Sequence, residues 1–266
     1  MADVSLFLHS TGTTPALWDS VPADLVGGAR KLAPANLGYP PHPPLPRGDP
    51  CDLAREVAHL LAQIPPDASP LHLYAHSYGG LVALALLPHL GPRVRSLFLY
   101  EPVLFGALGT EPGAEAAADL RAFRDHPWFL DDGARGGTDP WLELFIDYWN
   151  RPGSFAAMPA PMKEFLRGVG WKMFQEVRSC FGAFESFRQP ALDGVFTTVA
   201  MGSRSPRASR AMAQALARVN PGVHLLEVQG TGHMAPITHA PLVHEALRRH
   251  AADRARASAA GSTHTA

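Results

Sequence analysis

Short apolar runs that alternate with longer segments of helical spacing are the feature that most restricts what this chain can fold into. Six such runs occur: Val4–Leu8, Ala29–Ala33, Leu71–Ala75, Val94–Tyr100, Val195–Met201 and Val223–Val228. Each is nearly uninterrupted in apolar character, as expected for strands buried on both faces of a sheet. Between them lie segments with helical spacing of apolar residues: Asp52–Ile64, Gly80–Leu90 and Ser205–Val219. The alternation predicts the α/β class, with a mainly parallel six-stranded sheet and helices on both of its faces.

The interval from 105 to 189 departs from this alternation. It contains no convincing strand, only pieces with a helical pattern: Glu115–Arg124, Trp141–Trp149, Pro161–Val169 and Trp171–Phe181. We expect a helical lid inserted between the last-but-two and last-but-one strands, over the strand ends where α/β proteins bind ligands. The predicted organisation is one α/β core from 1–104 and 190–253, a lid from 105–189, and a disordered tail from 254–266 with few apolar residues for docking.

Charge and cysteine usage narrow the classes of partner. Hydrophobic residues make up 46% of the 266 residues, which is enough for a sizeable core. The formal net charge is −1 with no basic or acidic block, so neither nucleic acid nor an anionic membrane surface is an expected partner. Cys51 and Cys180 are far apart, which predicts neither a disulfide framework nor a zinc site. With no apolar run near the ~20 residues that span a bilayer, we expect a cytoplasmic protein; its oligomeric state stays open.

The motif Ala75-His76-Ser77-Tyr78-Gly79-Gly80 lies between the third apolar run and a helical segment. This pattern is typical of a nucleophile elbow, a strand-to-helix turn so tight that the residues two before and two after the serine must be small. Ala75 and Gly79 meet that requirement, and the start of the helix offers backbone N–H groups to an anion. Ser77 is therefore the candidate nucleophile, although an ordinary glycine-rich turn has a similar sequence.

A second motif follows the first strand and makes the resemblance to a known family specific. Leu8-His9-Ser10-Thr11-Gly12-Thr13-Thr14, together with the elbow, resembles the α/β-hydrolase superfamily in its serine hydrolase, esterase-like branch. The resemblance covers roughly 4–102 and 195–250 and is weak in the lid. Ser10 stands where the family usually has glycine. The resemblance implies that the backbone N–H groups of Thr11 and Tyr78 form an oxyanion hole, which would stabilise the charge that develops on a carbonyl oxygen.

A histidine after the last strand is the candidate base. Gly230-Thr231-Gly232-His233-Met234 places His233 in a loop at a strand end, and imidazole suits a general base near neutral pH. The chain has 13 histidines, so a lone one means little. His233 differs from the others because its position is the one that the family uses.

The triad acid is not at the family's usual place, just after the penultimate strand. Ser205 stands there, and no Asp or Glu occurs between Gly194 and Gly222. The preceding strand ends in Glu101, and some branches of the superfamily, haloalkane dehalogenases among them, carry their acid at that point. The resemblance therefore implies that Glu101 orients His233 and stabilises its charged form. We expect Ser205 to be a bystander.

These residues predict a serine hydrolase, most simply a carboxylesterase that forms an acyl-enzyme on a small to medium, mainly apolar ester. A C–C bond (diketone) hydrolase, a thioesterase or an amidase would use the same triad. A different class, a non-catalytic hydrolase-fold binding protein, is favoured only by the missing aspartate. A serine at the elbow argues against dehalogenase or epoxide hydrolase chemistry, which needs a carboxylate there. We expect a small-molecule substrate and neither a metal nor an organic cofactor.

Overall fold

The computed structural model describes residues 3–26, 29–109 and 116–262. Its sheet has six strands: β1 Val4–Leu8, β2 Arg30–Leu32, β3 Leu71–His76, β4 Val94–Tyr100, β5 Phe196–Gly202 and β6 Val223–Val228. Their spatial order is β2-β1-β3-β4-β5-β6, and every neighbouring pair is parallel. The predicted α/β fold with six strands is confirmed, and each strand end lies within one residue of the predicted one.

Ten α-helices accompany the strands within the described residues. They are α1 Leu53–Leu61, α2 Tyr78–Leu90, α3 Phe105–Leu108, α4 Ala116–Arg124, α5 Asp139–Trp149, α6 Ser154–Ala157, α7 Ala160–Gly182, α8 Arg207–Val219, α9 Ala235–Thr238 and α10 Ala240–Ser262. Helices α3 to α7 all lie between β4 and β5 in the chain, and we call residues 105–189 the helical segment. No helix among the described residues has the length and apolar character needed to cross a bilayer.

Helix α7 corrects the prediction of two helices, Pro161–Val169 and Trp171–Phe181. One continuous helix of 23 residues covers both. A Cβ at Gly170 would lie 2.3 Å from the carbonyl oxygen of Gly137, which is far inside contact distance. The glycine therefore lets a neighbouring backbone approach the helix and does not interrupt it.

The C-terminal helix differs from the predicted disordered tail. Helix α10 continues past residue 254 to Ser262, and residues 263–266 of the predicted tail lie outside the described part of the chain. The guanidinium of Arg254 is 2.6 Å from Nδ1 of His72, a side chain of β3. The sequence pattern did not reveal this contact because it joins residues 182 positions apart.

The sheet separates two parts of the hydrophobic core, because successive side chains of each strand point to opposite faces. Leu6 and Leu73 belong to the face covered by α2 and α8, whereas Phe7, Tyr74 and Phe98 belong to the face covered by α10. Full burial of a leucine side chain stabilises the fold by roughly 1.5–3 kcal/mol. Because all strands are parallel, their carboxyl ends share one edge, where the candidate residues after β1, β3, β4 and β6 meet.

Candidate active site

The turn that carries Ser77 is forced by close packing around small residues. Ser77 has a φ of 56°, a left-handed conformation that is unfavourable for any residue with a Cβ. A Cβ at Gly79 would lie 2.7 Å from the carbonyl oxygens of Leu8 and His9. The turn is further held by the N–H of Ser77, which donates to the carbonyl of Tyr100 at 3.0 Å. These contacts fix the serine at the start of α2, above the end of the sheet.

A chain of hydrogen bonds joins the three predicted side chains. Nε2 of His233 is 3.0 Å from Oγ of Ser77, and Nδ1 of His233 is 2.7 Å from Oε2 of Glu101. All three residues are buried. A carboxylate can only accept, so Nδ1 carries the proton and donates to Glu101, which leaves Nε2 free to accept the hydroxyl proton of Ser77. In this arrangement an imidazole can remove the proton of a serine hydroxyl.

The loop that carries His233 is held from the sheet side. Nε2–H of His76 donates to the carbonyl of His233 at 2.9 Å, and the hydroxyl of Tyr100 donates to the carbonyl of Gly232 at 3.0 Å. Burial holds the pKa of His76 well below its usual value, and the nearby His233 lowers it further. His76 is therefore neutral and acts as a fixed hydrogen-bond donor, a role that the sequence did not predict.

Glu101 lies in a pocket of donors at the end of β4, with a φ of 48°. Oε1 accepts from the backbone N–H of Gly202 at 2.6 Å and from the hydroxyl of Ser205. Oε2 accepts from Ser209 at 2.5 Å and from His233. Burial alone would raise the pKa of Glu101, but the hydrogen bonds and electrostatic attraction from His233 and the hydrogen bonds from Ser205 and Ser209 hold it below the usual value. The carboxylate is thus ionised at neutral pH although it is fully buried.

Ser205 corrects the expectation of a bystander. Its hydroxyl occupies the place where the family usually has its acid, and it donates to the carboxylate of Glu101. Ser209, one helical turn further on, completes the pocket and was missed in the sequence. The signal that would have revealed it is the i, i+4 spacing of two hydroxyls where an acid was expected.

The loop after β1 is held by a neutral histidine. Nδ1–H of His9 donates to the carbonyl of Ser10, and Nε2 accepts from the N–H of Asn36, both at 3.0 Å. Burial lowers the pKa of His9 to about 3, so it stays neutral and keeps one tautomer. Thr11 and Tyr78, the predicted oxyanion-hole residues, line one cavity together with Ser77.

A buried ionic network supports the same loop from α7. The N–H of Gly12 donates to the hydroxyl of Tyr39 at 2.9 Å, and that hydroxyl donates to Glu176 at 2.8 Å. Nζ of Lys172 lies 2.7 Å from Glu176 and 2.5 Å from Glu56, and all three charged side chains are fully buried. Burial would lower the pKa of Lys172, but the two carboxylates raise it above its usual value. This network was not predicted from the sequence, in which the i, i+4 spacing of Lys172 and Glu176 within one helix was the available signal.

The helical segment contacts the imidazole directly. The ring of Trp149, on α5, stacks on His233 with 3.9 Å between the ring centroids and 26° between the planes. A cavity of about 660 Å³ opens beside Ser77 and His233, and Ser77 also lines a second cavity of about 20 Å³. Apart from His233, no titratable side chain occurs among the described residues that line the larger one.

Comparison with known proteins defines the family of this chain. The sequence profile of the alpha/beta hydrolase family matches residues 6–246, and the chain belongs to that family. No curated protein matches it in sequence.

Solved structures share the fold at low sequence identity. A hydrolase from Pseudomonas aeruginosa PA01 has 18% identity and a TM-score of 0.64, over 94% of this chain and 89% of the other. The enol-lactonase from Burkholderia xenovorans LB400 has 18% identity and a TM-score of 0.61, over 95% and 92%. A thermophilic esterase from Thermogutta terrifontis has 18% identity and a TM-score of 0.61, over 96% and 91%.

Proposed function

We propose that this protein is a serine hydrolase that cleaves a neutral carboxylic ester through an acyl-enzyme. The observation that carries the proposal is the continuous hydrogen-bonded chain from Ser77 through His233 to Glu101, with 3.0 Å and 2.7 Å between the bonded atoms. A protein that only bound its ligand would have no need to bury a carboxylate behind an imidazole, because such burial is costly.

Each residue has a distinct part in the proposed reaction. Ser77 attacks the ester carbonyl as His233 takes its proton, and Glu101 stabilises the resulting imidazolium. The N–H groups of Thr11 and Tyr78 stabilise the oxyanion, and losing one such donor typically costs ~10²–10³ in rate. His233 then protonates the leaving alcohol. Water activated by the same imidazole releases the acid and restores Ser77.

The lining of the larger cavity supports a neutral, mainly apolar ester. The described residues around it include Ile146, Met162, Phe165 and Ile237, and they offer no Lys or Arg to a carboxylate or phosphate of a substrate. This favours an ester over thioesters or diketone acids that carry such groups. An enol-lactonase and an esterase among the structural neighbours act on ester bonds, which agrees with the proposal.

We further propose that the helical segment 105–189 acts as a lid. Its helix α5 places Trp149 on the imidazole, and α7 contributes Phe165 and Leu166 to the cavity wall. A cover of this kind excludes water from the reacting groups while it leaves the apolar cavity open to substrate.

Hydrolysis of p-nitrophenyl acetate by the purified chain tests the proposal, with Ser77→Ala as the decisive variant. We expect turnover by the wild type, and for the variant only the residual ~10³–10⁴-fold acceleration over water that survives loss of a nucleophile. A fluorophosphonate should phosphonylate the wild type at Ser77 with release of fluoride, which adds the mass of the phosphonyl group, and should leave Ser77→Ala unmodified. Equal turnover by both proteins would refute the assignment of Ser77.

A further inference from the structure

Ser77 lines two cavities of very different size. The smaller, about 20 Å³, is lined mainly by aromatic and aliphatic side chains from the helical segment, among them Phe123, Phe181 and Val177. The larger, about 660 Å³, opens towards solvent and lies within the size range of sites for drug-sized ligands. Thr11, Ser77, Phe145 and Trp149 line both, so the two aromatic rings of α5 stand between them.

The position of His233 decides which part of an ester each cavity takes. In the tetrahedral intermediate the leaving oxygen must receive a proton from Nε2, so the alcohol part lies on the imidazole side of Ser77. His233 lines the larger cavity, and it is not among the described residues that line the smaller one. Of the two proposed oxyanion donors, Tyr78 lines only the smaller cavity, and Thr11 lines both. The acyl group therefore points into the small cavity and the alcohol group into the large one.

The small cavity limits the length of the acyl chain. A volume of about 20 Å³ exceeds the ~10–15 Å³ that one water molecule needs by very little, so it accommodates about one methyl group. Its walls are tightly packed, since Phe105 stacks on Phe181 with 4.6 Å between centroids and Phe123 lies 4.7 Å from Phe129. A longer acyl chain would have to displace these rings, which is costly in a closely packed interior.

The large cavity has room and apolar surface for a bulky alcohol. Met158, Phe165 and Leu166 contribute to its wall, and Met162 and Ile237 reach solvent there with exposed fractions of 47% and 56%. Exposed apolar side chains that border one cavity form the kind of contiguous apolar surface that marks a ligand-binding groove.

We propose that the substrates are acetate-type esters of bulky apolar alcohols, an inference that rests on the proposed ester hydrolysis. The oxygen of Ser77 forms a bond to the acetyl carbon, and the bond from that carbon to the alcohol oxygen breaks. The alcohol leaves with the proton from His233, and the acetyl group stays on Ser77 with its methyl group in the small cavity. Water then takes the acetyl group and releases acetate, and its second proton returns to the serine through His233.

Hexyl acetate and methyl heptanoate test this assignment, because the two esters are isomers with the same atoms and differ only in which side of the bond is long. We expect kcat/KM for hexyl acetate to be higher by about tenfold or more, the usual cost of apolar groups that a pocket cannot accept. Equal values, or a preference for methyl heptanoate, would overturn the proposal. If neither isomer nor p-nitrophenyl acetate is hydrolysed, the proposed function itself fails, which is a distinguishable result.

A matched pair of variants on α7 tests the small cavity itself. Val177 lines it, whereas Val169 is equally buried on the same helix and is not among the described residues that line either cavity. With p-nitrophenyl esters, Val177→Ala should raise the butanoate-to-acetate ratio of kcat/KM by about threefold or more, and Val169→Ala should leave the ratio unchanged. The same change of the ratio in both variants, or in neither, would contradict the role of this cavity.

Discussion

The hydrogen bonds of Glu101 determine what a glutamine would do in its place. The N–H of Gly202 can only donate, and it points at Oε1 from 2.6 Å. In Glu101→Gln the side chain must therefore turn its carbonyl oxygen to Gly202 and its NH₂ group to His233. An NH₂ group that faces Nδ1 favours the tautomer in which Nδ1 accepts and Nε2 carries the proton. That tautomer cannot take the proton of Ser77.

The expected loss of kcat in Glu101→Gln is large for two reasons. His233 adopts the tautomer that cannot accept a proton at Nε2, and no negative charge remains to stabilise the imidazolium. The corresponding change of acid to amide in a protease triad lowers kcat by ~10⁴. At 1.36 kcal/mol for each factor of ten this corresponds to ~5.4 kcal/mol of transition-state stabilisation. The four hydrogen bonds to Glu101 leave the amide no alternative orientation that satisfies Gly202, so we expect the full effect.

Turnover of p-nitrophenyl acetate by Glu101→Gln checks this expectation, with far-ultraviolet circular dichroism to show that the variant is folded. Glu143→Gln is the matched control, since it makes the same exchange at an exposed position of α5. We expect kcat of the control to equal that of the wild type. If Glu101→Gln kept kcat within tenfold of the wild type, the reasoning would be refuted, and the Ser77–His233 pair would be sufficient.

Three further expectations follow from the same contacts. Ser205→Ala removes a donor to a buried carboxylate, so kcat should fall by about tenfold, and an unchanged kcat in steady-state assays would restore Ser205 to a bystander. Tyr39→Phe leaves the N–H of Gly12 without its acceptor and should lower kcat by about tenfold with little change in KM; a change in KM alone would argue against support of the oxyanion loop. The pKa of Glu101 is held below its usual value, so the ionised carboxylate stabilises the fold above the ordinary carboxyl range, and this contribution is lost as the pH falls through the lowered pKa. Urea unfolding should therefore show wild type losing stability relative to Glu101→Gln on acidification, and a pH-independent difference would contradict the hydrogen-bond pattern.

The sheet could be predicted because its strands are buried on both faces. Such a strand is a mostly apolar run, for example Val94–Tyr100, and can be recognised without knowing which strands lie beside it. The sequence also placed Ser77, Glu101 and His233 at one sheet edge, where the structure finds them within hydrogen-bonding distance. It missed contacts that depend on tertiary packing. From the sequence alone, Gly170 indicates the end of a helix. In the structure it lies inside α7, where the absence of a side chain lets the backbone of Gly137 approach.

The contact between Ser205 and Glu101 could not be predicted for a related reason. It joins residues on adjacent strand ends that lie far apart in the chain. The hydroxyl cannot replace a carboxylate, but it can solvate one, and the side chain it solvates is 104 positions away. Local pattern carries no information on such pairs.

The buried ionic network limits which substitutions this protein can accept. Removing one member of a buried charge cluster typically destabilises a protein by ~3–5 kcal/mol, whereas exchanging all members for apolar residues is often neutral. Glu56, Lys172 and Glu176 should therefore change together or not at all. Tyr39 links them to the loop of Gly12, so a change there would carry over to catalysis. The N-terminal part of α7, with Met162 and Phe165, lines the larger cavity and does not belong to this network, so new substrate preferences can evolve there while the charged positions stay fixed.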